Sequence, residues 1–500
     1  MVTTAERGSL KNGVQTFLIN SCRLPYSIIN WLPLQFLGVF LLTYQNEEKL
    51  SSFFLEFRGQ GWWIIAFEAL FLFKYIKVVA HLISFLLYRP YAIPEHPTIS
   101  AKDVTVIIPT VGAIDEPEFR ETLRTILANK PHEIIVCTVG REKMEIAQRV
   151  CNEEVRNLAP ADRSITGVTV SAIEQASKRK QIYSQLIGVD TKIVALADDH
   201  VFWGLNYLKA SLAPFEDPRI GGVGTNKRVR RDPFEFTWAN FLNFTACNYL
   251  ERHNFECTAS TNIDQGVFVL SGRTVFYRTA VLKHPSFAVD YLRETWFFGT
   301  VGREGFAVDD DNLLTRFTIG AGQHKVWFQN SEESTMHTTL GEPGKFFKQM
   351  DRWIRTTWRS NSTSLLSDQT PWRTQPWSVY AIYLSSFVNF ALFYDAALLI
   401  TLWEGWEDMD LALFRLRGSF MDREKGISIL AWILFLSKMI KPFPHFWRNP
   451  KDILWIPGYI LFGYYHSFIK LKALFTVHVV AWGTRPGRVP GVFVDSNMLA

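Results

Sequence analysis

The sequence predicts an α/β domain with a mainly parallel sheet, embedded between transmembrane and interfacial helices. Three observations carry that prediction. Long apolar runs lie towards the two ends of the chain, the stretch 101–340 alternates strand-like and helix-like patterns, and an arginine- and tryptophan-rich segment joins the two zones. The mean hydropathy of +0.02 is too high for a charged soluble enzyme and too low for an all-membrane bundle. At 500 residues, with 17 Trp and 40 Phe, the chain exceeds one ordinary domain. A net charge of +5 is mild and gives no reason to expect nucleic acid as a partner. Five cysteines, Cys22, Cys137, Cys151, Cys247 and Cys257, show neither CxxC spacing nor an even framework, which fits reduced thiols facing the cytosol.

Residues 1–26 are a polar, cytosolic N-terminal segment carrying Arg7, Lys11 and Arg23. Residues 27–88 hold two transmembrane helices, since the runs 27–44 and 62–88 are each long enough to span. The first apolar run starts too late, and is too long, for a cleaved secretory signal. Glu68, Lys74, Lys77 and His81 interrupt the second run, so they must face protein or water. Arg89 follows directly, and positive flanks on both outer sides of the pair place the N-terminus and the chain after Arg89 in the cytoplasm. A multi-pass protein of the cell membrane, in contact with the lipid bilayer, is expected.

Residues 101–340 form the cytosolic domain. Strands are expected at 104–108 (ended by Pro109), 133–137, 165–170 and 192–197, with a helix marked by Phe119, Leu123, Ile126 and Leu127 and a polar helix over 172–187. The strand 192–197 runs straight into Asp198-Asp199-His200, where ligands bind in such sheets. Residues 341–372 read as an interfacial helix region, and 378–468 as about three transmembrane helices (378–403, 427–440 and 453–468). Residues 469–500 read as an amphipathic segment and tail. Two plus three spans leave the C-terminus outside unless one segment is re-entrant or split.

Five clusters carry candidate chemistry. On a helix, Arg352, Arg355 and Arg359 share a face, where their forked cations clamp phosphate and a tryptophan stacks on a sugar; the alternative is a basic helix lying on a membrane. Asp198-Asp199-His200 suits Mg²⁺ or Mn²⁺ shared with phosphates, or is a solvated strand end. In Asp309-Asp310-Asp311, mutual repulsion raises one carboxyl towards the range of a general base; the plainer account is an acidic helix N-terminus. Ser177-Lys178-Arg179-Lys180 binds phosphate or is a solvated turn, and Ser271-Gly272-Arg273 is a turn after an apolar run.

Together, and in this order, these clusters resemble the processive family 2 glycosyltransferases, the group of the cellulose, chitin and hyaluronan synthases. The likeness covers roughly residues 100–360 and is nearest to the fungal type 2 glycosyltransferases of capsule and cell wall. Gln349, Arg352 and Trp353 match the QxxRW motif; Asp310-Asp311, with Thr315 four residues on, resembles the base motif; Trp482-Gly483-Thr484-Arg485 resembles the closing WGTR. The chain departs at Val136-Cys137-Thr138-Val139-Gly140, where the family carries an Asp, and in its DxD motif, read either from Asp198 to His200 or from Ala197 to Asp199. The resemblance implies a GT-A-like fold and inverting transfer from a UDP-sugar to a growing polysaccharide, extruded to the surface or wall. It implies Asp311 as base beside Asp310, and a donor site of Lys178, Arg179, Asp198, Asp199 and Arg352. Ser271, Gly272, Gln349 and Trp353 would face the acceptor, and Asp198, Asp199 and His200 the metal. Two rivals stay open: a single transfer to lipid, as in dolichol-phosphate sugar synthases and ceramide glucosyltransferases, and a transporter regulated by its cytosolic domain.

Overall fold

The computed structural model describes residues 61–112, 114–307, 309–406 and 422–480. The expected segment 1–26, the first span 27–44, the Trp482–Arg485 motif and the tail beyond it lie outside the described residues. Residues 61–70, 400–406 and 422–423 fall in the smaller of two compact units and the rest in the larger.

The larger unit is built on a seven-stranded sheet. Its strands are β1 (Val104–Pro109), β2 (Glu133–Val139), β3 (Gly167–Ile173), β4 (Ile193–Ala197), β6 (Ile220–Thr225), β8 (Thr274–Arg278) and β9 (Lys325–Gln329), in the order β3-β2-β1-β4-β8-β6-β9. β5 (Val201–Phe202), β7 (Lys227–Val229) and β10 (Met336–Thr338) make a second, three-stranded sheet. The pairings of β1 with β2 and β4, of β2 with β3, and of β6 with β9 are parallel; β8 runs antiparallel to both neighbours. The central strands read as continuous apolar runs because both faces are covered. Val106, Ile108, Ile134 and Val136 point into one core with Leu123 and Val150, while Ile107, Ile135, Val194 and Leu196 point into a second with Ile182 and Leu314. The helices that supply those partners are α2 (Pro117–Ala128), α3 (Arg141–Arg156), α4 (Lys178–Leu186) and α6 (Asp310–Ile319).

Two sequence boundaries move. The third strand starts at Gly167, not at Ile165, and continues to Ile173 because Ser171, Ala172 and Ile173 pair with Cys137, Thr138 and Val139. The following helix therefore begins at Lys178, where the Ser177 hydroxyl accepts a hydrogen bond from the Lys180 N–H as its cap.

The apolar segments differ more. Among the described residues one helix, α1 (Trp62–Leu87), is long and apolar enough to cross a membrane. The run 378–403 is not one straight helix: Pro376–Val388 and α8 (Ala391–Glu404) meet at 90°, where Asn389 leaves helical geometry with ψ at 80°. α9 (Arg423–Met439) covers the next run. The last, α10 (Ile456–Phe475), takes up both the expected span and the start of the amphipathic segment. The arginine-rich segment is α7 (Phe346–Ser362). Its stripe Phe346, Met350 and Ile354 packs against Leu242 and Leu250 of α5 (Trp238–Asp264) and Ile469 of α10, so protein, not lipid, covers that face.

Candidate active site

The carboxyl ends of β1 and β4 adjoin a cavity of about 1840 Å³. The strand order turns back between these two strands, the usual place for a ligand in an open α/β sheet. Asp198, Asp199 and His200 leave β4 at its rim. Lys178, at the start of α4, reaches across with its ammonium 3.0 Å from Asp198 Oδ1 and 3.3 Å from Asp310 Oδ2. Burial works against the charge on Lys178, but the two carboxylates outweigh it and hold the group protonated. Burial likewise opposes ionisation of Asp198, and Lys178, His200 and Arg273 reverse that and lower its pKa.

Asp311 sits opposite. The Gly272 N–H donates to its Oδ2 (3.2 Å), and the Asn312 N–H and Nδ2 donate to its Oδ1 (3.0 and 3.1 Å). The Thr315 hydroxyl accepts from the Leu270 N–H and donates to the Asp311 carbonyl, which ties the turn to the helix. Gly272 keeps this approach close, since a Cβ there would lie 3.1 Å from Lys178 Nζ and 3.5 Å from Asp311 Cβ. Burial first, then the neighbouring Asp310 charge, push the Asp311 carboxyl up to about 6. That places it close to neutrality, where a general base works best.

The three arginines of α7 have three fates. Arg352 borders the cavity, and its Nε is a buried donor with no acceptor among the described residues. Arg355 bonds back to the Asp351 carbonyl (3.1 Å). Arg359 is buried and grips Asp309 Oδ2 through Nε and Nη2 (2.9 and 2.7 Å). Asp309 also accepts from Thr356, and it caps α6 in a left-handed conformation with φ at 63°. Trp353, next to Arg352, stacks on Tyr249 with ring centroids 5.3 Å apart.

Of the residues singled out in the sequence, Lys178, Asp198, Asp199, His200, Ser271, Gly272, Asp310, Asp311, Gln349, Arg352 and Trp353 all line this one cavity. Arg179 does not. One residue along α4 turns it into the core, where it holds Glu294 Oε2 at 2.5 Å and donates to the Tyr291 carbonyl at 2.7 Å. The three residues of the expected metal set are not gathered at one point. His200 spends Nδ1 on Asp199 (2.8 Å) and faces Arg273 with Nε2 (3.3 Å), while Asp199 Oδ2 accepts from Thr110 (2.5 Å). Among the described residues no three His, Cys, Asp or Glu side chains converge as a metal site. The Asp198 carboxylate, bordering the cavity, fits a magnesium-type ion held by one carboxylate and by substrate phosphates. Sequence reasoning passed over Lys227 and took Arg273 only as part of a turn, yet both line the cavity; Lys227 opens the basic run Lys227-Arg228-Val229-Arg230-Arg231, in which nothing marks it out for burial.

Residues 101–356 match the family described as Glycosyltransferase like family 2. A type 2 glycosyltransferase of Pyricularia oryzae is 35% identical over 85% of this chain and 82% of its own length. An NDP-glycosyltransferase, ltbB, of Aspergillus luteorubrus is 32% identical over 55% of this chain and 64% of its own. Among solved structures, a mannosyltransferase from Pyrobaculum calidifontis in complex with GDP-Man and Mn²⁺ aligns over 82% of this chain and 98% of its own, at 14% identity and a TM-score of 0.47.

Proposed function

The chain belongs to glycosyltransferase family 2, and from that premise we propose that it elongates a polysaccharide from a UDP-sugar with inversion at the anomeric carbon. As a glycosyltransferase it is an enzyme that takes a nucleotide-sugar donor and an acceptor. In the proposed step the acceptor hydroxyl attacks the anomeric carbon and gives its proton to Asp311. The bond from that carbon to the diphosphate oxygen breaks, and UDP leaves. Lys178 and Arg352 offset the charge that grows on the diphosphate, and their fixed placement favours the transition state over the ground state. A divalent cation, when bound, supplies further positive charge there, and Asp198 is the residue to hold it. Trp353, braced by Tyr249, offers its ring face to the acceptor sugar.

One observation carries this reading: Asp311 and Trp353 border a single cavity with Lys178 and Arg352. The same cavity continues past them to Lys74, Ser437 and Tyr459 on α1, α9 and α10, which supports a path for a growing chain through helices of a cell-membrane protein whose active site faces the cytosol. The experiment is to purify the full chain with Mg²⁺ or Mn²⁺, supply candidate sugar nucleotides, and read nucleoside diphosphate release and product length. Single-sugar lipid products would replace polymerisation by a single transfer; no release from any donor would remove the catalytic assignment.

A further inference from the structure

The reaction centre occupies one end of the cavity; the other end is strongly cationic. Lys77 of α1, Arg252 of α5, Lys441 after α9 and Lys470 of α10 all line it. Glu256 is the carboxylate that answers them, 3.4 Å from Lys77 and in contact with Lys441. It also meets His81 Nδ1 at 2.9 Å. Lys470 donates to the Asn389 carbonyl at 2.9 Å. Arg252 is exposed to the cavity and has no ion-pair partner among the described residues. Nearer the reaction centre, Lys227 is 2% exposed and packs over Phe328 at 5.5 Å, again with no carboxylate within ion-pair distance among the described residues. Burial, reinforced by Arg273, brings its ammonium down to about 8.

Cations gathered in a partly dry cavity repel one another and lose hydration, a cost that an anionic ligand removes. The rest of the lining says what carries the anion. Ser385, Ser386, Asn389 and Ser467 offer hydroxyl and amide groups, and Tyr249 and Trp353 offer ring faces. Such groups suit the hydroxyls and C–H faces of a sugar chain.

We propose that the far end of the cavity binds an acidic saccharide, an acceptor chain bearing carboxylate groups, with Arg252, Lys441 and Lys470 as its anion contacts. This rests on the transferase reading and names the class of its acceptor.

The test is binding, read without turnover. The purified full chain is titrated with hexagalacturonate and with its fully methyl-esterified form, which keeps the sugar backbone and removes the charge. The acid is expected to bind about tenfold tighter at low ionic strength, and the advantage to shrink as salt rises. Arg252→Gln with Lys470→Gln should bring the two hexamers to about equal affinity, and Arg252→Lys should keep the preference. Arg252 is exposed, so Arg252→Gln alone, with its melting temperature recorded, covers the case in which the double variant fails to fold. Equal affinities in the unaltered protein, no binding of the acid, or a preference untouched by these variants would each overturn the proposal. Nucleoside diphosphate release together with equal affinities keeps the transferase and discards the acidic acceptor. A charge preference without release from any donor does the reverse.

Discussion

The two ends of the cavity are both charged, but they are wired differently. At the sheet end one cation answers two carboxylates, since Lys178 lies between Asp198 and Asp310, and among the described residues Lys227 stands without an ion-pair partner. At the helical end the ratio is reversed: Lys77 and Lys441 share Glu256, Lys74 and Lys438 share Asp395, and among the described residues Arg252 and Lys470 have no ion-pair partner. Matched pairs hold groups in fixed geometry at modest net gain, whereas unmatched cations leave attraction available to a ligand. The difference accords with the proposed division into chemistry at one end and recognition at the other.

Four measurements break or sharpen that contrast, beginning with the largest effect. Asp311→Asn should lower transfer by about 10³-fold with nucleotide binding kept, because a general base is worth roughly 10²–10⁴. Retained transfer would move the base elsewhere. Next, Asp309→Ala leaves the Arg359 guanidinium buried and unpaired, so it should cost about 3–5 kcal/mol of stability in thermal melts. Arg252→Ala, at the loosely paired end, should change stability by no more than about 0.5 kcal/mol; similar losses in both would erase the contrast.

The third is a pH profile. Asp311 must be ionised to accept a proton, so the rate should fall as pH drops through about 6. The sign for stability is opposite. A carboxyl raised above its unfolded value favours the fold when protonated, and Asp311's contribution is lost as pH rises from the ordinary carboxylate range through about 6. A rate flat down to pH 5 would exclude it as the titrating base. The smallest effect is expected at Trp353. Trp353→Leu should weaken acceptor binding by about 1 kcal/mol, a fivefold rise in KM, with kcat little changed.

The chemistry was more legible in the sequence than the scaffold around it. Strands such as Val104–Pro109 are buried throughout and read as plain apolar runs. β6 escaped notice because it is Ile-Gly-Gly-Val-Gly-Thr: a Cβ at Gly222 would fall 2.9 Å from Leu270, so packing selects glycine where propensity disfavours it. α5 gave no amphipathic signal, since Asn243, Asn248, Asn254 and Asp264 are buried beside its apolar residues. That helix carries Tyr249, Arg252 and Glu256, so the helical end of the cavity went unread with it. Arg179 misled for a different reason. Neighbouring positions on a helix are turned about 100° apart, so the basic pair Lys178-Arg179 divides between the cavity and the core.

Asp309 stands two residues before Asp311 and is held in place by Thr356 and Arg359 of α7. Arg359 in turn donates to the Val477 carbonyl at 2.6 Å, just beyond α10. A displacement of α10 thus has a short lever to Asp311, through one guanidinium and one helix cap. Under the proposed elongation, loading or emptying the helical end would act on Asp311 by this route and leave the donor site untouched.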